Sequence, residues 1–163
     1  MRKTGKRSAV LAITLACGFV GLTVSPAVAA PAAPAAPARS GHGWDGVSPF
    51  GSVCGNDATT ARQATIYHGN AITGYVQLRY SPTCRTVWGR VISYYNKGIG
   101  QKAGVTRRDG AGQTCSYAAY SDSLKGYSCF TNMLYDGGSV SGAYGEAPNW
   151  YNGGTDYAAT TWY

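Results

Sequence analysis

Charge is scarce in this chain, and positive charge stops early: 13% of the residues are Asp, Glu, Lys or Arg, and no Lys or Arg follows Lys125. Clustered basic runs are missing, which argues against a nucleic-acid partner. No Cys-x-x-Cys pair occurs, so a thiolate metal centre is not expected. Only two imidazoles exist, His42 and His68, and neither lies in a recognisable Ser, Cys or Asp partner motif. No glycine-rich phosphate loop follows a strand and opens a helix. Asp136-Gly137-Gly138 and Asp156 match no calcium loop spacing. Long helical segments of Leu, Glu and Lys are missing too. These absences lead us to expect a protein without cofactor or metal, and more a binder than an enzyme.

What is present begins with an export signal. Arg2, Lys3, Lys6 and Arg7 precede an apolar stretch from Ala9 to Val24, and Ala27-Val28-Ala29 offers a peptidase site. The stretch is short and closely followed by Pro26 and Pro31, which argues against a stable membrane span. Cys17 could mark a lipoprotein, but Thr14 is a poor match for the aliphatic residue such signals carry. Residues 1–29 are therefore read as a signal peptide, and the working protein is expected outside the cytoplasm. Residues 30–41 carry Pro31, Pro34 and Pro37 among alanines, a flexible, polyproline-like linker. A single domain is expected over 42–163. Four of the fourteen basic residues leave with the signal, so ten face seven acids in the exported chain.

The remaining composition is that of a β-sheet protein. All thirteen Tyr and four Trp follow the signal, among many Gly, Ser, Thr and Asn. Asp57–Arg62 reads as a helical turn or bend and Ala64–His68 as a strand. Gly69-Asn70 is a turn. In Ile72–Tyr80, Gly74, Val76 and Leu78 alternate with Tyr75, Gln77 and Arg79. Ser81-Pro82 ends that strand. Thr86–Tyr95 resumes, and Asn96–Gly100 turns. Gly104–Thr106, Thr114–Tyr120, Tyr127–Tyr135, Val140–Gly145 and Asp156–Tyr163 follow as strands. About seven short antiparallel strands predict an all-β sandwich or barrel behind a disordered tail.

Cys54, Cys84, Cys115 and Cys129 permit three pairings. We prefer Cys54–Cys84 and Cys115–Cys129, the second because its members flank an apparent hairpin. The first closes a loop of about 30 residues, worth ~3–4 kcal/mol if unstrained.

The most distinctive run is Leu78-Arg79-Tyr80-Ser81-Pro82-Thr83-Cys84, followed by Thr86-Val87-Trp88 and preceded by Cys54-Gly55-Asn56-Asp57-Ala58. Over about residues 44–95 the chain resembles a small family of secreted domains of unknown function from high-GC Gram-positive bacteria. Some of those relatives carry the domain after a cytoplasmic helix-turn-helix and a membrane span. Trp44 stands where the family has an additional cysteine, Ser48-Pro49 replaces Asp-Pro, and Val53 replaces a common Gly. The resemblance implies a domain type and a location but no reaction, and it leaves residues 100–163 outside.

Two groups of residues are candidate binding sites. Arg79 beside Tyr80, and Trp88 beside Arg90, set guanidinium groups near rings, as a face for an anionic or sugar-containing polymer would. The competing reading makes Arg79 an edge cap and Trp88 core, and burial statistics favour it. Tyr144, Trp150, Tyr151, Asn152, Tyr157, Trp162 and Tyr163 form a second cluster suited to stacking sugar rings. For Trp150 and Tyr151 a loop-borne site and a core role stand level; Trp162 is expected in the core. The function expected is a secreted, non-catalytic module binding a cell-wall polysaccharide or a secreted protein. One alternative is a toxin-like assembly docking through the Ala/Pro tail. Another is a wall hydrolase using Glu146 with a nearby Asp.

Overall fold

The computed structural model describes residues 40–95 and 100–163. The signal peptide, most of the Ala/Pro linker and most of the Asn96–Gly100 turn lie outside the described residues. Ten strands are present among the described residues, two more than the eight segments that read as strands. They are β1 (Thr59–His68), β2 (Ala71–Ser81), β3 (Thr86–Ser93), β4 (Lys102–Arg107), β5 (Gly112–Cys115), β6 (Ala119–Ser121), β7 (Gly126–Phe130), β8 (Leu134–Tyr135), β9 (Ser141–Pro148) and β10 (Thr155–Ala159). A six-stranded sheet runs β1-β2-β3-β7-β6 with β8 also on β3, and a four-stranded sheet runs β10-β9-β4-β5. All pairings are antiparallel. The fold is an all-β sandwich.

The extra strands come from two breaks in runs that read as continuous. Thr114–Tyr120 changes sheets, giving β5 in the small sheet and β6 in the large one. Tyr127–Tyr135 stays beside β3 but opens at Thr131–Met133. There the Thr131 hydroxyl accepts from the Gly89 N–H (3.1 Å), and Met133 exchanges backbone bonds with Gly46 and Val47 instead of β3. The expected helical bend at Asp57–Arg62 also shifts. The short α1 (Val53–Asn56) lies earlier, capped by Ser52. The Asp57 carboxylate turns instead to Ser81 Oγ (2.6 Å) and Thr83 N (2.9 Å), and β1 starts at Thr59. The closing strand ends at Ala159; Tyr163 and Ser141 then exchange two backbone bonds.

The sandwich core follows the pleat. Ile66, Val76, Leu78, Val87 and Val91 of the large sheet face Ala103, Val105, Ala143 and Ala147 of the small one, all essentially inaccessible. The facing residues of the small sheet are small, and glycines bring the backbones together. A methyl group on Gly89 would fall 2.4 Å from the Gly104 carbonyl oxygen, and one on Gly145 would fall 2.4 Å from Val91 Cγ2. The Cys115–Cys129 bridge crosses between the sheets with Cα atoms 6.2 Å apart. The preferred pairing is therefore present, but Cys115 lies in the small sheet and not in a hairpin with Cys129.

A second, smaller core sits on the outer face of the large sheet. The arm from Gly41 to Asp57 folds over it, and Trp44, Val47 and Cys54 pack around Trp88, Cys84 and Met133. Two ties hold the arm. One is the Cys54–Cys84 bridge. The other is Asp45, which accepts from the Tyr135 N–H and from Arg107 Nη1, a guanidinium 6% exposed and also bound to Asp109. Partial burial pushes the Asp45 carboxyl up, but the Tyr135 N–H, His42 and Arg107 outweigh it and hold the group below 3.8.

A depressed carboxyl stabilises the fold above its unfolded pKa, and that stability is lost as pH falls through the folded value. Asp45→Asn should cost about 2 kcal/mol at pH 7 in urea unfolding. The gap to wild type should close as the pH drops below 3.8. A gap independent of pH would mean that Asp45 acts by shape alone.

Candidate functional site

The pleat divides the sequence-predicted residues between the two outer faces. On the large sheet, Arg79 lies opposite Trp88, Gln77 opposite Arg90, and Arg90 opposite Phe130. These residues share the outward face, so Arg79, Trp88 and Arg90 come together as expected. Together with Phe50, 83% exposed, and Phe130 they line a groove of about 150 Å³ at the edge of the arm. Trp88 itself is 5% exposed and belongs to the small core, so it forms the floor. The expected ring partners differ. Tyr80 faces the other way from Arg79 and packs against Tyr163, the rings 5.4 Å apart and inclined by 59°. Guanidinium groups stand over Tyr163 (Arg62, 5.0 Å) and Trp162 (Arg108, 6.0 Å).

The C-terminal aromatic cluster separates into three. Trp150, Tyr151 and Asn152 occupy the β9–β10 loop, where both rings are more than half exposed. Tyr151 lies beside His68 (5.8 Å), and His68 Nδ1 is 3.1 Å from Asp156 Oδ1. This His–Asp contact joins β1 to β10 across 88 residues, and no sequence spacing signals it. Asn152 is spent locally, its Oδ1 accepting from Gly154 N. Tyr163 packs back on Tyr80.

The third part lies on the outer face of the small sheet. Tyr144, Glu146 and Pro148 of β9 point outward beside Ala159, Tyr157 and Thr155 of β10. On the other side they meet Gly104 and Lys102 of β4. The Tyr144 ring occupies the space over Gly104, where a methyl group would fall 2.1 Å from Cζ. The Trp162 ring lies over Gly142 at ordinary contact distance, 3.5 Å from a methyl group there. Trp162 is thus not core: it is 50% exposed, and Tyr157 is 63% exposed. Tyr144 and Tyr157 are 6.5 Å apart and inclined by 31°. With Thr106 and Thr160 these three rings line a shallow depression of about 250 Å³. The glycine seats carry no hydrophobic signal in the sequence, which is why this arrangement was not legible there.

The arrangement offers flat apolar rings and hydroxyls. It does not assemble a carboxylate pair: Glu146 faces outward, where Thr155 Oγ1 contacts it at 3.5 Å, whereas Asp156 lies on the opposite face of the hairpin with His68. Among the described residues no group of three or more His, Cys, Asp or Glu could hold a metal ion. No helix among them is long and apolar enough to cross a membrane.

A family described as "Protein of unknown function (DUF2690)" matches residues 42–144. The chain belongs to this DUF2690 family. The match runs beyond the segment that carried the resemblance, so β4 to β8 lie inside the family and not outside it. The arginine groove is wholly within the DUF2690 region, whereas Tyr157 and Trp162 follow it. The chain is also 31% identical over 101 residues to the uncharacterized protein YjfA of Bacillus subtilis (strain 168), covering 58% of this chain and 64% of that one. It therefore spans less than two thirds of that relative's length. No solved structure matches the chain.

The seat beneath Tyr144 is open to test. Gly104→Ala should force the Tyr144 ring to lift and destabilise the fold by about 1–3 kcal/mol in thermal or urea unfolding. Gly142→Ala, whose methyl would meet the Trp162 ring at ordinary contact, should leave stability within about 1 kcal/mol of wild type, the span of strand propensities. Equal stability of Gly104→Ala and wild type would contradict the seat.

Proposed function

We propose that this domain is a secreted, non-catalytic module that binds a cell-wall polysaccharide through the outer face of its small sheet. The observation that carries the reading is the seating of Tyr144 and Trp162 over Gly104 and Gly142, with Tyr157 open beside them. A pyranose ring presents one face of C–H groups and an equatorial rim of hydroxyls. An aromatic ring held flat on a sheet matches the C–H face, and its fixed pose lowers the ordering cost of binding. Thr106 and Thr160 supply hydroxyls at the rim of the same depression. Two disulfides are consistent with the oxidising surroundings of an exported protein.

A few stacked rings without deep burial fit a single-site Kd on the order of 0.1–1 mM, enough for retention on a polymer with repeated sites. The test is retention of the exported form on insoluble cell-wall polysaccharide. Wild type and Trp150→Ala should be retained alike. Tyr157→Ala and Trp162→Ala, both at exposed positions, should each weaken retention about tenfold. Undiminished retention of the Tyr157→Ala/Trp162→Ala double variant would overturn the proposal, as would failure of wild type to bind.

A further inference from the structure

The arginine groove on the large sheet has a chemistry the glycan platform lacks. Arg79 and Arg90 are both partly buried, yet neither takes part in any ion pair among the described residues. The buried Arg107, by contrast, has two carboxylates. The partners of the groove arginines are neutral. Arg79 donates to Thr60 Oγ1 (2.5 Å) and the Ala58 carbonyl (2.7 Å). Arg90 gives its Nε and Nη2 to the single Gln77 Oε1 (2.9 and 2.6 Å). A guanidinium has five N–H donors, so each group keeps donors uncommitted. Gln77 is itself oriented by donating to Gln63 Oε1 (2.6 Å), which fixes the Arg90 fork from behind. Burial, together with the neighbouring Arg79, pushes Arg90 down to about 10, so it remains charged at neutral pH but uncompensated.

We infer that Arg79 and Arg90 form a binding site for a phosphoryl group, with the moiety it is attached to resting on Phe50 and Phe130. Charge complementarity selects the ligand class. Two uncompensated cations match a phosphate monoester, which carries between one and a half and two negative charges at pH 7. A lone carboxylate would leave one cation unneutralised. Arginine forks suit phosphate oxygens because several parallel N–H···O bonds can form at once. The rings at the mouth, Phe50 at 83% and Phe130 at 39% exposed, offer apolar contact beyond the anion. Two cations are too few for a nucleic-acid backbone, which is read by many. The site stands on a different sheet from the polysaccharide platform and does not depend on it.

Phenyl phosphate, inorganic phosphate and benzoate serve as probes in calorimetric titration of the whole exported chain. Phenyl phosphate should bind most tightly, and its affinity should rise from pH 5 to 7 as the second phosphate proton leaves. Arg79→Gln and Arg90→Gln should each weaken it about tenfold. Because those side chains also brace the sheet, Phe50→Ala provides a variant at an open position. It should weaken phenyl phosphate several-fold and leave inorganic phosphate unchanged. Benzoate binding as tightly as phenyl phosphate, equal loss of both phosphates in Phe50→Ala, or no binding by wild type would overturn the assignment.

Discussion

The structure depends on how closely its two sheets approach. Sandwich sheets ordinarily stand about 10 Å apart with side chains filling the gap. Here Gly89 faces the backbone of Gly104, and Gly145 faces Val76 and Val91, so at the centre there is room for no added methyl group. The consequence is felt on the outside as well as the inside. Gly104 offers its backbone to Gly89 on the inner face, and its missing side chain leaves room for the Tyr144 ring on the outer face. Gly89 thus lets the sheets meet, and Gly104 seats an aromatic ring on the surface beyond.

Around that contact the covalent and ionic ties have separate tasks. Cys115–Cys129 joins the sheets through the core, whereas Cys54–Cys84 fastens the arm over Trp88 on the outer face. Arg107 draws the same arm down through Asp45 while satisfying its own buried charge with Asp109 and the Tyr135 carbonyl. The arm in turn shapes one wall of the arginine groove, contributing Pro49, Phe50 and Gly55. Each outer face thus acquires a surface of its own. The small sheet carries rings and hydroxyls, and the large sheet carries two cations beside rings.

The class of fold was legible because its signals are local. Alternation at Gly74, Val76 and Leu78 marks a half-buried strand whatever it packs against, and Ser81-Pro82 marks its end. The strand break at Thr131–Met133 was not legible, because it is set by distant partners. Thr131 answers Gly89, and Met133 answers Val47. The site was partly legible for the same reason. Arg79, Trp88 and Arg90 could be grouped from alternation on two adjacent strands. Trp162 could not be placed, because its exposure follows from the chain leaving the sheet after Ala159 to pair with Ser141. The His68–Asp156 contact spans the two sheets and left no trace in spacing.

The four tryptophans are distributed so that one spectrum tests the proposed sugar site: Trp44 in the arm, Trp88 beneath it, Trp150 in the loop, Trp162 on the outer face of the small sheet. The direct measurement is the set of indole N–H resonances during titration with a soluble cell-wall oligosaccharide. The account predicts progressive displacement of the Trp162 signal while those of Trp44, Trp88 and Trp150 hold their positions. Movement confined to Trp150, or a spectrum unchanged at saturating sugar, would contradict it.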